Sequence, residues 1–124
     1  MEALIIEGTF MTPSVVLDAA NGVYSIGGNS RPENPLAFFK PIFEWFNTYF
    51  ERKKDRLVLS IKLDYFNTST SKVLLDLFEH FEKECAEGAD VHIIWFHQHD
   101  DEDMKDAGEE LFELVPVSGE LRGY

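Results

Sequence analysis

A chain of 124 residues that is 44% hydrophobic, with 11 Phe, 4 Tyr and 2 Trp, carries enough apolar content to bury a core without disulfide or metal staples. Its formal net charge of −12 argues against nucleic acid and anionic membrane surfaces as partners, because both would repel it. The single cysteine, Cys85, can close no internal disulfide, no apolar run reaches the length of a membrane span, and the start M-E-A-L-I-I-E lacks a basic leader. A soluble cytoplasmic protein with one domain over residues 1–124 is the expectation.

Ala3 to Glu7 and Ser14 to Asp18 are short apolar runs that read as strands. Asn21-Gly22 follows, a two-residue hairpin signal, and Val23 to Ile26 returns as a third strand. Gly27 to Pro35, G-G-N-S-R-P-E-N-P, is loop chemistry that ends in a helix start, with Asn34 suited to the N-cap and Pro35 to the first helical position.

Pro35 to Arg52 reads as the first helix. At about 100° per residue, Phe39, Ile42, Phe46, Tyr49 and Phe50 share one side, with Trp45 and Phe38 extending one flank and Phe43 and Leu36 the other. Pro41 predicts a kink or a delayed regular part. The apolar arc is wider than the stripe of roughly 100° that a one-sided surface helix needs. Either the sheet and a neighbouring helix cover all of it, or one flank, Phe38 with Trp45, meets a partner.

Arg56 to Asp64 alternates Leu57, Leu59, Ile61 and Leu63 against more polar residues and predicts a strand. Thr68 to Glu87 predicts a second helix that buries Val73, Leu74, Leu77, Phe78, Phe81 and Cys85, closed by Gly88. Val91 to His97 is apolar on both faces, which predicts a central strand. Asp103 to Leu114 predicts a shorter helix weakened by Gly108, and Val115 to Tyr124 a poor strand or coil. The order β-β-β-α-β-α-β-α predicts an α/β fold on a mixed sheet, parallel in its second half, with a hairpin added at the N-terminus.

Little in this chain specifies catalysis. His97, His99 and Asp101 could in principle hold a metal, which would make the chain a metal-dependent enzyme. Against that, His92 should point to the opposite face from His97, and no H-E-x-x-H or paired-cysteine spacing exists. The acidic run Asp100 to Asp103 also fits a turn that leads into a helix N-terminus. Gly27-Gly28 belongs to no phosphate-cradling motif, and Cys85 falls on an apolar helix face.

The unusual stretch is N-T-S-T-S-K, Asn67 to Lys72. One side chain is enough to cap a helix, yet four hydroxyls follow one another here. Asn67 or Thr68 suits the N-cap, and no Glu or Gln stands three residues beyond either. Thr68 and Lys72 lie four residues apart on the polar side, opposite Val73, Leu77 and Phe81. A phosphoryl group on Thr68 would meet unpaired N–H groups, the positive end of the helix dipole and Lys72.

Three blocks carry a resemblance over nearly the whole chain. They are T-P-S-V (Thr12 to Val15) with G-N-S-R-P-E-N-P (Gly28 to Pro35), then L-D-Y-F-N-T-S-T-S-K (Leu63 to Lys72), and W-F-H-Q-H-D-D-E-D-M (Trp95 to Met104) with A-G-E-E (Ala107 to Glu110). In combination they resemble the SiaC family of bacterial regulatory phosphoproteins, although His97 and Gln98 stand where the family often has a Tyr and an acidic residue. The resemblance implies a STAS-like α/β fold and a protein without catalytic activity or cofactor. It places the phosphoacceptor on Thr68. It also implies a dedicated protein kinase and a PP2C-type phosphatase as partners, and a GGDEF-type diguanylate cyclase that is bound and activated by the unphosphorylated form. Ser30, Glu33, Asn34, Asn67, Ser69 and Lys72 are expected to frame the partner-binding surface. The alternative within the same class is an antagonist in a sigma-factor partner switch.

Overall fold

In a computed structural model, which describes residues 1–52 and 55–124, the chain runs β1 (Leu4–Ile6), β2 (Ser14–Asp18), β3 (Val23–Ser30), α1 (Pro35–Arg52), β4 (Leu57–Phe66), α2 (Thr68–Ala86), β5 (Val91–His97), α3 (Glu102–Leu114) and β6 (Ser118–Gly123). The strands form one sheet in sequence order, β1-β2-β3-β4-β5-β6. The first three pair antiparallel, while β3 to β6 pair parallel, as α/β crossovers require. Three crossovers that all advance in one direction with the same right hand place their helices on one face. Burial agrees: Leu57, Leu59, Ile61, Leu63, Ile93 and Trp95 are buried, whereas the alternating Ser60, Lys62, Ile94 and Phe96 are more accessible.

The aromatic stripe of α1 fills the space between helices and sheet. Phe46 meets Phe81 of α2 edge to face at 5.0 Å between ring centroids, and Trp45 stacks on Tyr49 at 5.5 Å. Such pairs add attraction beyond burial alone. On the flank of Phe38 and Trp45, Trp45 is buried and its Nε1 donates to the Glu2 carbonyl at 2.9 Å, so the N-terminal segment covers it, while Phe38 is half-buried. Pro41 does not break the helix. It sits on the exposed face, where the Ala37 carbonyl that loses its usual donor is also exposed and can turn to water.

Several elements differ from their sequence expectation. The β2–β3 turn takes four residues, Ala19 to Gly22, not two, because Asp18 accepts from the Asn21 backbone N–H at 3.2 Å and from Asn21 Nδ2 at 2.6 Å, with Gly22 at φ +66°. Strand β3 continues past Ile26 to Ser30, and its register against β4 shifts between Gly28 and Asn29. The tail contains a true strand, β6, whose weak propensity is overridden by pairing with β5. β5 is thus flanked by strands on both sides, but only one of its faces is covered.

Gly108 is no weakness in α3. A Cβ there would fall 2.6 Å from Trp95 Nε1, so only glycine lets α3 lie this close to the indole, which also donates to the Met104 carbonyl at 2.9 Å. Helix α2 ends as expected, with Gly88 at φ +106°, its N–H on the Cys85 carbonyl and the Ala89 N–H on the Glu84 carbonyl, a Schellman closure.

His80 of α2 packs near the rings of Phe43 and Phe50 of α1, and its Nε2 is buried with no partner among the described residues. Burial holds its pKa below the ordinary 6.5, opposed by Glu84 and aided by Lys83. The unfolded chain then binds the proton more readily than the folded one. Stability from this site is therefore complete above the unfolded value and lost as pH falls through the depressed folded one. In urea titrations from about pH 7 to about pH 5, His80→Phe should lose less stability than wild type. Parallel pH profiles for the two proteins would remove His80 from the account.

Candidate phosphorylation switch at the start of α2

Parallel pairing sets Ser30, the last residue of β3, beside Phe66, the last of β4. The S-R-P-E-N-P loop and the N-T-S-T-S-K helix start therefore leave the sheet at the same end. A backbone bond joins them, from the Asn67 N–H to the Ser30 carbonyl at 3.1 Å. A second link lies deeper. Thr70 Oγ1 donates to the same carbonyl at 3.1 Å and stands 2.8 Å from Ser30 Oγ. With the Thr70 proton used on the carbonyl, the Ser30 hydroxyl is the one that donates between the two oxygens. Both side chains are fully buried and both are satisfied.

This clasp sorts the four hydroxyls. Asn67 is the N-cap, its Oδ1 accepting from the Thr70 N–H at 3.0 Å and from Ser69 Oγ at 2.9 Å. Thr70 is committed to Ser30, and Ser69 to the cap. Ser71 is half-buried, and Thr68 is exposed at the first helical position, with no hydrogen bond to its hydroxyl among the described residues. The hydroxyl run thus divides into cap support (Ser69), an internal clasp (Thr70) and two hydroxyls without a hydrogen bond among the described residues, of which Thr68 is exposed and Ser71 half-buried.

Thr68 also borders a cleft. Together with Phe66, Ser71, Lys72 and Leu75 it faces Ala107, Glu110, Leu111 and Leu114 of α3 across a space of ≈ 340 Å³. On another side, the Arg31 guanidinium lies 4.2 Å from the Phe10 ring centroid and 5.9 Å from that of Tyr65, two exposed aromatics. None of Phe10, Arg31, Tyr65, Leu75, Leu111 and Leu114 stood out in the sequence. They come from separate elements, and only the strand order unites them.

The other expected site residues fall as follows. Asn34 caps α1, accepting from the Ala37 N–H at 3.1 Å, and Glu33 beside it is exposed. Both lie at the same sheet end as Asn67, as do Ser69 and Lys72. Ser30 does not reach the surface, so it supports the site from beneath. The metal reading of His97, His99 and Asp101 finds no support in the geometry of the described residues. Asp101 caps α3 by accepting from the Met104 N–H at 3.0 Å, His97 Nδ1 faces the Gln98 carbonyl at 3.0 Å, and no group of three or more potential ligands gathers among the described residues. His92 is elsewhere, on the open sheet face, with Ser118 at 2.7 Å and Glu120 at 2.9 Å. Its bond and that of Arg122 hold the Glu120 carboxyl below its usual range.

The clasp makes a measurable prediction. Ser30→Ala and Thr70→Val should each destabilise by about 1–3 kcal/mol, because each leaves a buried polar group short of a partner. The double variant should cost clearly less than the sum, as coupled sites do. Urea unfolding of the four proteins checks this, and strict additivity would show that the two hydroxyls act independently.

Comparison with known proteins places this arrangement. The model of the SiaC family regulatory phosphoproteins matches residues 6–120. An uncharacterized protein of Pseudomonas aeruginosa strain UCBPP-PA14 is 30% identical over 113 residues, covering 91% of this chain and 90% of its own. The crystal structure of apo-SiaC from Pseudomonas aeruginosa superposes with a TM-score of 0.89 at 28% identity, over 98% of this chain and 99% of that one. A chain in the crystal structure of the diguanylate cyclase SiaD in complex with its activator SiaC, from the same species, reaches 0.91 at 27% identity, over 98% and 99%. The chain belongs to the SiaC family of regulatory phosphoproteins.

Proposed function

We propose that this protein is a non-catalytic adaptor that binds and activates a GGDEF-type diguanylate cyclase while Thr68 is unmodified, and releases it when Thr68 is phosphorylated. A protein kinase and a PP2C-type phosphatase set the state of Thr68. The observation that carries this reading is the sorting of the hydroxyl run: Thr68 is the exposed, uncommitted hydroxyl, and it sits at the first position of a well-capped helix. The choice of partner is supported by the relative SiaC, described as the activator of SiaD. Among the described residues no helix is long and apolar enough to cross a membrane, which fits an adaptor that meets its partners in solution.

Electrostatics give the switch its direction. A partner on the unmodified surface must desolvate one hydroxyl and the first N–H groups of α2, which costs little if it supplies acceptors. Phosphorylation adds about −1.5 to −2 charges at that point, on a protein already at −12. An apolar or acidic partner face is then rejected by repulsion and by the cost of stripping water from a dianion. In this reading Glu33, Asn34, Asn67, Ser69 and Lys72, which leave the sheet at the same end as Thr68, form the partner-facing surface, with Ser30 buried beneath. The domain need not refold, because Thr68 points away from the buried Val73, Leu77 and Phe81.

In calorimetric titration with the cyclase, Thr68→Ala should keep wild-type affinity and resist the kinase. Thr68→Asp should lose binding by about tenfold or more. Both should unfold at the wild-type temperature. Tighter binding by Thr68→Asp than by Thr68→Ala would reverse the proposed sign.

A further inference from the structure

We infer that the cleft between α2 and α3 is the anchor site of the cyclase-type partner, taking an apolar side chain of that partner flanked by an acidic residue. This rests on the reading of Thr68 as the regulated residue. Without refolding, phosphorylation acts most strongly on a partner whose footprint includes Thr68, and Thr68 is itself part of the cleft wall. The rest of that wall is mostly apolar: Phe66 and Leu75 on one side, Ala107, Leu111 and Leu114 on the other. Leu114 is 60% exposed, a position at which a helix facing only water would carry a polar residue.

The rim points to the partner's charges. Lys72 of α2 and Glu110 of α3 both line the cleft, and neither takes part in an ion pair among the described residues. An apolar anchor ringed by polar contacts is the usual anatomy of a protein interface hot spot. Lys72 calls for a carboxylate on the partner. A second copy of this chain is the poorer occupant, since it would bring another −12 charges to the contact.

The same geometry says how the phosphate acts. Thr68 and Lys72 are four residues apart on α2, so their Cβ atoms lie about 5–6 Å from each other. A phosphoryl group on Thr68 pairs with Lys72 within the same helix. That takes the cation away from the partner's carboxylate and holds a hydrated dianion over the mouth of an apolar cleft. The switch then works by closing the anchor site in addition to repelling the partner.

The test titrates the unphosphorylated full-length protein against its cognate GGDEF-type diguanylate cyclase. Leu114→Glu places a charge at the cleft edge, where the side chain is already solvated, and Ala107→Leu fills the space from the α3 side. Each should weaken binding by about thirtyfold or more, with circular dichroism and unfolding temperature close to wild type for Leu114→Glu. Binding of both variants within about threefold of wild type would overturn the inference while leaving the cyclase reading intact. Failure of wild type and Thr68→Ala to bind the cyclase would sink the functional reading and this one with it. Sedimentation of the protein alone adds a further arm: a wild-type dimer that Leu114→Glu dissociates would assign the cleft to a second copy and overturn the inference.

Discussion

The buried bond between Ser30 and Thr70 is the constraint on which the site depends. It joins residues 40 positions apart, the end of one strand and the first turn of the helix that follows its neighbour. Two hydroxyls in an apolar interior must satisfy each other or be costly, and here they do so through a single arrangement in which the Ser30 carbonyl also receives the Thr70 proton. That arrangement fixes the rotation of α2 about its axis at the N-terminus. Once Thr70 faces inward, Thr68 has to face outward, because two residues along a helix differ by about 200°.

The sheet supplies the rest. All three helices pack on one face and start at the carboxyl ends of parallel strands, so the loops after β3, β4 and β5 converge at one end of the domain. This is the end at which open α/β sheets generally place their binding sites. The aromatic packing of α1 against α2, seen in Phe46 on Phe81 and Phe50 on Phe81, joins the two helices in their C-terminal halves, away from that end. Gly108 lets α3 settle on Trp95 and so sets the width of the cleft beside Thr68. A regulatory surface built this way needs no large movement. Under the proposed switch, a change of charge at one exposed hydroxyl would alter what the surface accepts while the core stays as it is.

Much of this was legible in the sequence. Periodicity identified α1, α2 and β4, and cap chemistry placed Asn34 and Gly88 correctly and narrowed the α2 cap to Asn67 or Thr68, of which the structure selects Asn67. What periodicity lacks is information about pairing between distant segments. S-G-E-L-R-G has poor strand propensity and becomes β6 only because β5 offers an edge. Gly108 reads as a helix defect until Trp95 is seen against it. Asn29 and Ser30 read as loop, yet they extend β3 and carry half of the clasp. The hydroxyl run was recognisable as surplus, but its division among Ser69, Thr70, Ser71 and Thr68 required a partner on another strand. The cleft was invisible for the same reason, since Leu75 and Leu114 belong to different helices.

The central claim is that folding itself selects Thr68 from four adjacent hydroxyls. Treating the native protein with the kinase proposed for it and mapping the phosphate by fragment-ion mass spectrometry tests this most directly. The account predicts phosphate on Thr68 alone. Phosphate on Ser69, Thr70 or Ser71 in place of Thr68, in protein that is still folded, would contradict it.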